Sequence, residues 1–270
     1  GGIYYHSASG YAAISGSATV EGNSAYNGGG LYLQGGTCFM DDSSAVKDNR
    51  AIKGNGGGVY IDGNTTKFIV QKGTVTGNTA DANGGGIMVK NPGAQARVDT
   101  GAIEGNVADR GGGVYANGSL WLRENITITK NSVGKGGLGG GVFLDSGGQF
   151  SIGEATIKIT DNTASGTANN VYLSQASSVE QVSKVITLSH KIKSGSAIGV
   201  TTQLKPDTSE VIFTKNYFTT QWGEPDLIFT SDDPAYGVQR SADRKEAVLV
   251  KTVKHTATGY SGVYDGEEHD

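Results

Sequence analysis

The sequence predicts an all-β chain wound as a right-handed parallel β-helix, with three-strand coils in about six to seven rungs and a β-rich C-terminal cap. Three observations predict it. A Val or Ile, two further residues and then Asn recur at Asn23, Asn49, Asn78, Asn106, Asn131 and Asn162, separated by 26, 29, 28, 25 and 31 residues. Five of these lead into a triple glycine beginning at Gly28, Gly56, Gly84, Gly111 and Gly139, and the sixth into Asn169-Asn170-Val171-Tyr172-Leu173. No segment carries the 3.6-residue periodicity of a helix. A period of about 20–50 residues marks a solenoid, in which each repeat buries its apolar face only against its neighbours.

One coil justifies the elements in order. Gly73-Thr74-Val75-Thr76-Gly77-Asn78 alternates, residues 79–83 are polar, and Gly84-Gly85-Gly86-Ile87-Met88-Val89 alternates again. After the turn signal Asn91-Pro92-Gly93 comes a third run, Gln95-Ala96-Arg97-Val98, whose place is taken elsewhere by Phe68-Ile69-Val70, Leu120-Trp121-Leu122 and Phe150-Ser151-Ile152. Three short strands per repeat, joined by turns, stack by parallel pairing, and crossovers between parallel strands are overwhelmingly right-handed. Val20, Val46, Val75, Ile103, Ile128 and Ile159 then fill the bore. The asparagines three residues later are expected at the following corner, tolerating a left-handed backbone and forming a hydrogen-bonded ladder along the axis. The triple glycines permit positive φ and close approach between walls.

Beyond about residue 180 the signature stops. Of the 44 glycines, 37 lie before residue 176, whereas three of the four prolines lie after it. Runs such as Val185–Leu188, Ala197–Val200, Val211–Phe213, Leu227–Phe229 and Ala247–Val250 read as ordinary strands, with a hairpin over residues 236–251 turning near 241–246. A solenoid's last rung is an open edge that needs covering. The expected organisation is β-helix repeats over residues 1–178, a β-rich cap or irregular final coils over 179–256, and a linker with the start of a further module over 257–270.

Composition narrows the function. Net charge is −4 with no basic run, which argues against nucleic acid as a partner. The single Cys38 rules out an internal disulfide and reads as a buried apolar residue. No run approaches the ~20 apolar residues of a membrane helix, so no membrane insertion by this stretch is expected. The chain opens on a repeat already under way and reads as a piece of a longer protein.

The alternation of Val/Ile-x-x-Asn with Gly-Gly-Gly-aliphatic-aromatic over residues 1–175 resembles the repeats of the chlamydial polymorphic outer-membrane proteins, which are adhesins. It differs in having Val or Ile where those repeats have Phe, and a third Gly where they have Ala. Residues 259–269, with Tyr264-Asp265-Gly266 and His269, resemble the opening strand of Ig-like repeats in large bacterial surface proteins. These resemblances imply a secreted, cell-surface location and a non-enzymatic, adhesin-like ectodomain, expected as a monomer. Its ligand would be a host glycoprotein or mucin, a glycan or an immunoglobulin. A polysaccharide-degrading β-helix enzyme and a passive structural stalk stay open as alternatives.

Candidate chemistry follows from alternation along the strand after each triple glycine. Its outer residues face the bore, so the middle ones, Tyr4, Tyr32, Tyr60, Met88, Tyr115, Phe143 and Tyr172, form an external stripe. Exposed, such a row would stack on sugars or anchor a protein; shielded, it would only bind rung to rung. For catalysis the candidates are thin. Asp41-Asp42 and Asp232-Asp233 read as turns, the arginines Arg97, Arg110 and Arg123 are scattered, and His6, His190, His255 and His269 read as solvated. No catalytic, metal or cofactor site is assigned.

Overall fold

The computed structural model describes residues 1–174, 184–221 and 223–252 and is an all-β solenoid of about eight turns. The expected C-terminal module, with His255 and His269, lies outside the described residues. Through the repeats each coil has four walls. A glycine wall (for example Leu31–Gln34) is followed by a second wall (Thr37–Met40) and a third wall (Ala45–Lys47), and then by a short wall (Arg50–Ala51) that leads to the next triple glycine. The fourth wall is a finding. With only two residues in most coils, it offered no alternation to read.

Stacking is parallel and in register. Leu31, Tyr32 and Leu33 pair with Val59, Tyr60 and Ile61, and these with Ile87, Met88 and Val89. The same holds on the third wall, where Val20, Val46, Val75, Ile103, Ile128 and Ile159 form one buried row. Leu31, Leu33, Met40, Phe68, Leu120 and Phe150 meet that row in the bore. Each such side chain contributes about 1.5–3 kcal/mol on full burial, so the stack is held by its own repetition.

The asparagine ladder is present, with one correction to its geometry. The left-handed residue is the one before each Asn, namely Gly22, Asp48, Gly77, Gly105, Lys130 and Asp161, with φ between 54° and 66°. That turn aims the carboxamide along the axis. Asn49 N and Nδ2 each donate to Asn78 Oδ1 at 3.0 Å, and Asn49 Nδ2 also donates to the Val20 carbonyl at 2.9 Å. The pattern repeats through Asn78, Asn106, Asn131 and Asn162, while Asn23 enters it at the first coil. Buried carboxamides survive only because every polar atom is paired. The third glycine of each triplet answers to this ladder: a Cβ on Gly58 would come within 2.7 Å of Gly86 O and 3.0 Å of the Asn78 carboxamide.

The winding continues after the repeats lose their signature, which is why more turns exist than the six to seven expected. Val171–Leu173 pairs with residues 200–202 of Ala197–Thr202, and Ile198, Gly199 and Val200 pair with Phe229–Ser231. Leu227, expected in a strand, instead ends a 3-10 turn, Pro225–Leu227, because proline at its first position presets the helical φ. The hairpin of Tyr236–Arg240 and Ala247–Lys251 forms as expected and adds Val211–Ile212 as a third antiparallel strand. It brings Ala247 and Leu249 onto a plug of Phe213, Tyr217 and Phe229 at the end of the bore. Glu246 fixes this end by accepting from Thr214 Oγ1, Asn216 N and Tyr217 N. Cys38 is buried, as expected, and burial pushes its thiol up to about 11.

Candidate functional site

The aromatic stripe points away from the bore but is not exposed. Tyr60, Met88, Tyr115, Phe143 and Tyr172 are all under 9% accessible and form a cluster of their own, with Tyr32 half-buried and only Tyr4 largely open at 62%. The expectation of an open ligand-binding row is therefore corrected for all but the first coil. Two causes close it. Rungs are so near that rings cover each other: Tyr32–Tyr60 and Tyr115–Phe143 centroids lie 5.0 Å apart, and Phe143–Tyr172 lie 5.3 Å apart at 8°. The first glycine of each triplet, at φ 60–69°, also folds the preceding loop back over the strand, so that a Cβ on Gly56 would lie 2.8 Å from Tyr60 Cβ.

Several of the stripe's polar tips are satisfied internally too. Tyr32 donates to Asp62 Oδ2 at 2.8 Å and Tyr115 to Asp145 Oδ2 at 2.5 Å, while Lys90 and Arg110 lie 5.7 Å from the Tyr60 and Phe143 rings. Burial first, then the acceptor carboxylate, raises both phenols. Burial pushes Asp62 up, but the Tyr32 hydroxyl and the Lys90 ammonium outweigh it and hold its carboxyl below the ordinary range. This side of the solenoid is a finished packing surface.

The Asn ladder likewise offers no open site, and its end was not foreseen. Asn162 donates to Asn170 Oδ1, and Asn170 donates through N and Nδ2 to Asp232 at 2.7 and 2.6 Å, with Thr201 Oγ1 adding a third bond at 2.9 Å. Asp232, expected in a plain turn, is the carboxylate that receives the donor end of the whole amide column. A second ladder, Asn27–Asn55–Asn83, runs with the opposite polarity immediately before the triple glycines. Its signal was legible as Asn directly preceding Gly28, Gly56 and Gly84, and it stops where Arg110 takes that place.

An open site lies at the corner between the second and third walls. In three successive coils that corner is bridged by long bent strands, Gln95–Glu104, Ser119–Thr129 and Gln149–Thr160. Their pairing shifts register between Val98 and Thr100 and between Leu122 and Glu124. Bulges of this kind re-aim side chains. Here they turn Arg123, Glu124, Asn125 and Glu154 outward around a cleft of about 570 Å³, closed from the next coil by Ser189, His190 and Lys193. Trp121 forms one side; its ring is half-buried, and its indole N–H has no acceptor in the protein.

Backbone and charge at this corner are distinctive. Glu124 has φ 63°, a region that non-glycine residues rarely occupy, and its Oε2 accepts from Thr100 Oγ1 at 3.0 Å. Glu154 pairs with Lys193 at 3.4 Å, and His190 Nδ1 lies 3.3 Å from Ser189 Oγ. His190 is exposed, as read from the sequence. Among the described residues no three His, Cys, Asp or Glu side chains converge to hold a metal ion. The cleft therefore presents an aromatic face, two carboxylates, two cations and several neutral hydrogen-bonding groups. Sequence reasoning missed it because its residues come from three coils at positions that do not repeat.

Among the described residues no helix is long and apolar enough to cross a membrane. Compared with protein families, characterised proteins and solved structures, the sequence gives no match.

Proposed function

We propose that this β-solenoid is a non-enzymatic binding module of a bacterial surface protein, adhesin-like in the sense of the chlamydial repeats it resembles, and that its ligand is a carbohydrate held in the Trp121 cleft. The observation that carries this reading is the cleft's lining. A half-open indole beside paired donors and acceptors of both signs suits a sugar, which offers an apolar C–H face and a rim of hydroxyls. The size, about 570 Å³, lies within the range of roughly 300–1,000 Å³ typical of small-ligand sites. The buried stripe is itself closed to this task beyond its first coil. The test is a glycan array probed with the parent chain and with Trp121→Ala and Arg123→Ala. Retention of a saccharide, weakened at least about tenfold by Trp121→Ala at unchanged melting temperature, supports the reading. An empty array, or binding indifferent to Trp121, overturns it.

A second reading, cleavage of polysaccharide, is favoured by Glu124 and Glu154 lining the same cleft, since glycoside hydrolysis uses two carboxyl groups that flank the scissile bond, about 5–9.5 Å apart. Incubating retained saccharides with the protein and measuring new reducing ends separates the two. Release abolished by Glu154→Gln would establish the enzyme; binding without release leaves the binding module.

A further inference from the structure

We propose that the ligand is an extended, linear, electrically neutral polysaccharide that lies along the solenoid axis in a trough continuing from the cleft over the earlier coils. This rests on the carbohydrate reading of the cleft. A second cavity, of about 350 Å³, occupies the same corner between the second and third walls, lined by residues 42–44, 72–74 and 100–102. The two cavities are neighbours: Thr100, in the first, pairs in register with Asn125, in the second, and donates to Glu124 across the boundary. From Asp42 to Lys193 the corner crosses six rungs, which at ~4.8 Å per step spans roughly 24 Å.

The floor favours a chain lying flat. Gly73 (φ 141°) and Gly101 (φ 147°) stack there, with Ala102 N donating to Gly73 O at 3.3 Å, so these two positions add no side chain to the floor. Exposed Ser43 and Thr74 line it with hydroxyls. Charge is balanced along its length, Asp42 with Lys72 at one end and Glu154 with Lys193 at the other, so a polyanion or polycation gains no net attraction. An extended peptide fares worse than a glycan. It binds by adding to a free strand edge, whereas the third-wall strands beneath this trough are paired on both sides.

The experiment is titration of the whole chain with neutral glucose-, mannose- and N-acetylglucosamine-based saccharides, from the single sugar to long linear oligomers. The variants Ser43→Trp and Thr74→Trp plug the trough at exposed positions and are checked for unchanged melting. The expected result is affinity rising at least about tenfold with chain length, a rise abolished by either plug while binding of the shortest ligands persists. Trp121→Ala should weaken short and long ligands alike. Length-independent binding would overturn the trough and leave the cleft standing. Preference for uronate or sulfated chains, or retention of peptides instead, would overturn the proposal as well. Loss of every saccharide, short ones included, would remove the cleft reading with it.

Discussion

Two corners of the same coil have been treated in opposite ways. At the corner after the third wall, each repeat places a left-handed residue and an Asn whose carboxamide bonds to the next, from Asn23 through Asn162 to Asn170 and Asp232. At the corner before that wall, the turn ranges from Asp41–Ser44 with its own hydrogen bond to bulged, bent strands carrying Glu124 in a left-handed conformation. The first corner is buried and internally satisfied; the second is open and lined by residues that differ from coil to coil. What recurs along this chain is what holds rungs together, and what varies is free to meet a ligand.

The comparison is most directly broken within the stripe. If its rings are packing elements, Phe143→Ala should cost about 3–5 kcal/mol in urea or thermal unfolding, whereas an exposed recognition row would lose binding and keep its melting point. Next is the ladder: Asn106→Ala strands Asn78 N and Nδ2 and removes a donor from the Val75 carbonyl and from Asn131 Oδ1, leaving buried groups unpaired. A loss of about 3 kcal/mol is expected, and a neutral result would show that water enters the ladder.

The ladder's end gives a smaller and pH-dependent effect. Burial holds the Asp232 carboxyl above its usual range, against the hydrogen bonds of Asn170 and Thr201, which pull it down. Between the unfolded and the folded value, the folded chain thus keeps a proton that the unfolded chain has released. The stabilising contribution is fully present below the unfolded value of ~3.9 and falls as pH rises through the higher folded value. Asp232→Ala should cost about 1–3 kcal/mol at neutral pH through the unpaired Asn170 donors. Asp232→Asn should match or exceed the parent at pH 7, an advantage that disappears on acidification; a parent that grows more stable from pH 4 to 7 relative to this variant would contradict the assignment. Smallest, and of opposite sign, is Glu124→Gly at the open corner. Relief of its left-handed backbone should raise stability by about 1 kcal/mol while weakening saccharide binding. Lower stability would mean that Glu124 is a structural residue after all.

Much of the fold was legible because a one-dimensional stack repeats its demands. Val46, Asn49 and Gly56 recur in order, since every rung needs the same bore residue, corner bond and close approach. Sequence reading failed where a neighbouring coil decided the outcome. Whether Tyr60 is covered depends on the loop before Gly56 and on rings one rung away. Asp232 looked like a turn residue because Asn170, its partner, lies 62 positions earlier. Trp121, Glu154 and Lys193 carry no shared spacing at all, so nothing in the linear order groups them.

By itself the sequence determined the winding: local alternation, β-branched strands and glycine-permitted turns specify a parallel stack whatever its surroundings. Only the tertiary structure decided which outward face is open. Accessibility is a property of what lies across space, and in this chain the aromatic row is sealed by its own rungs while the irregular corner opposite is left unfilled.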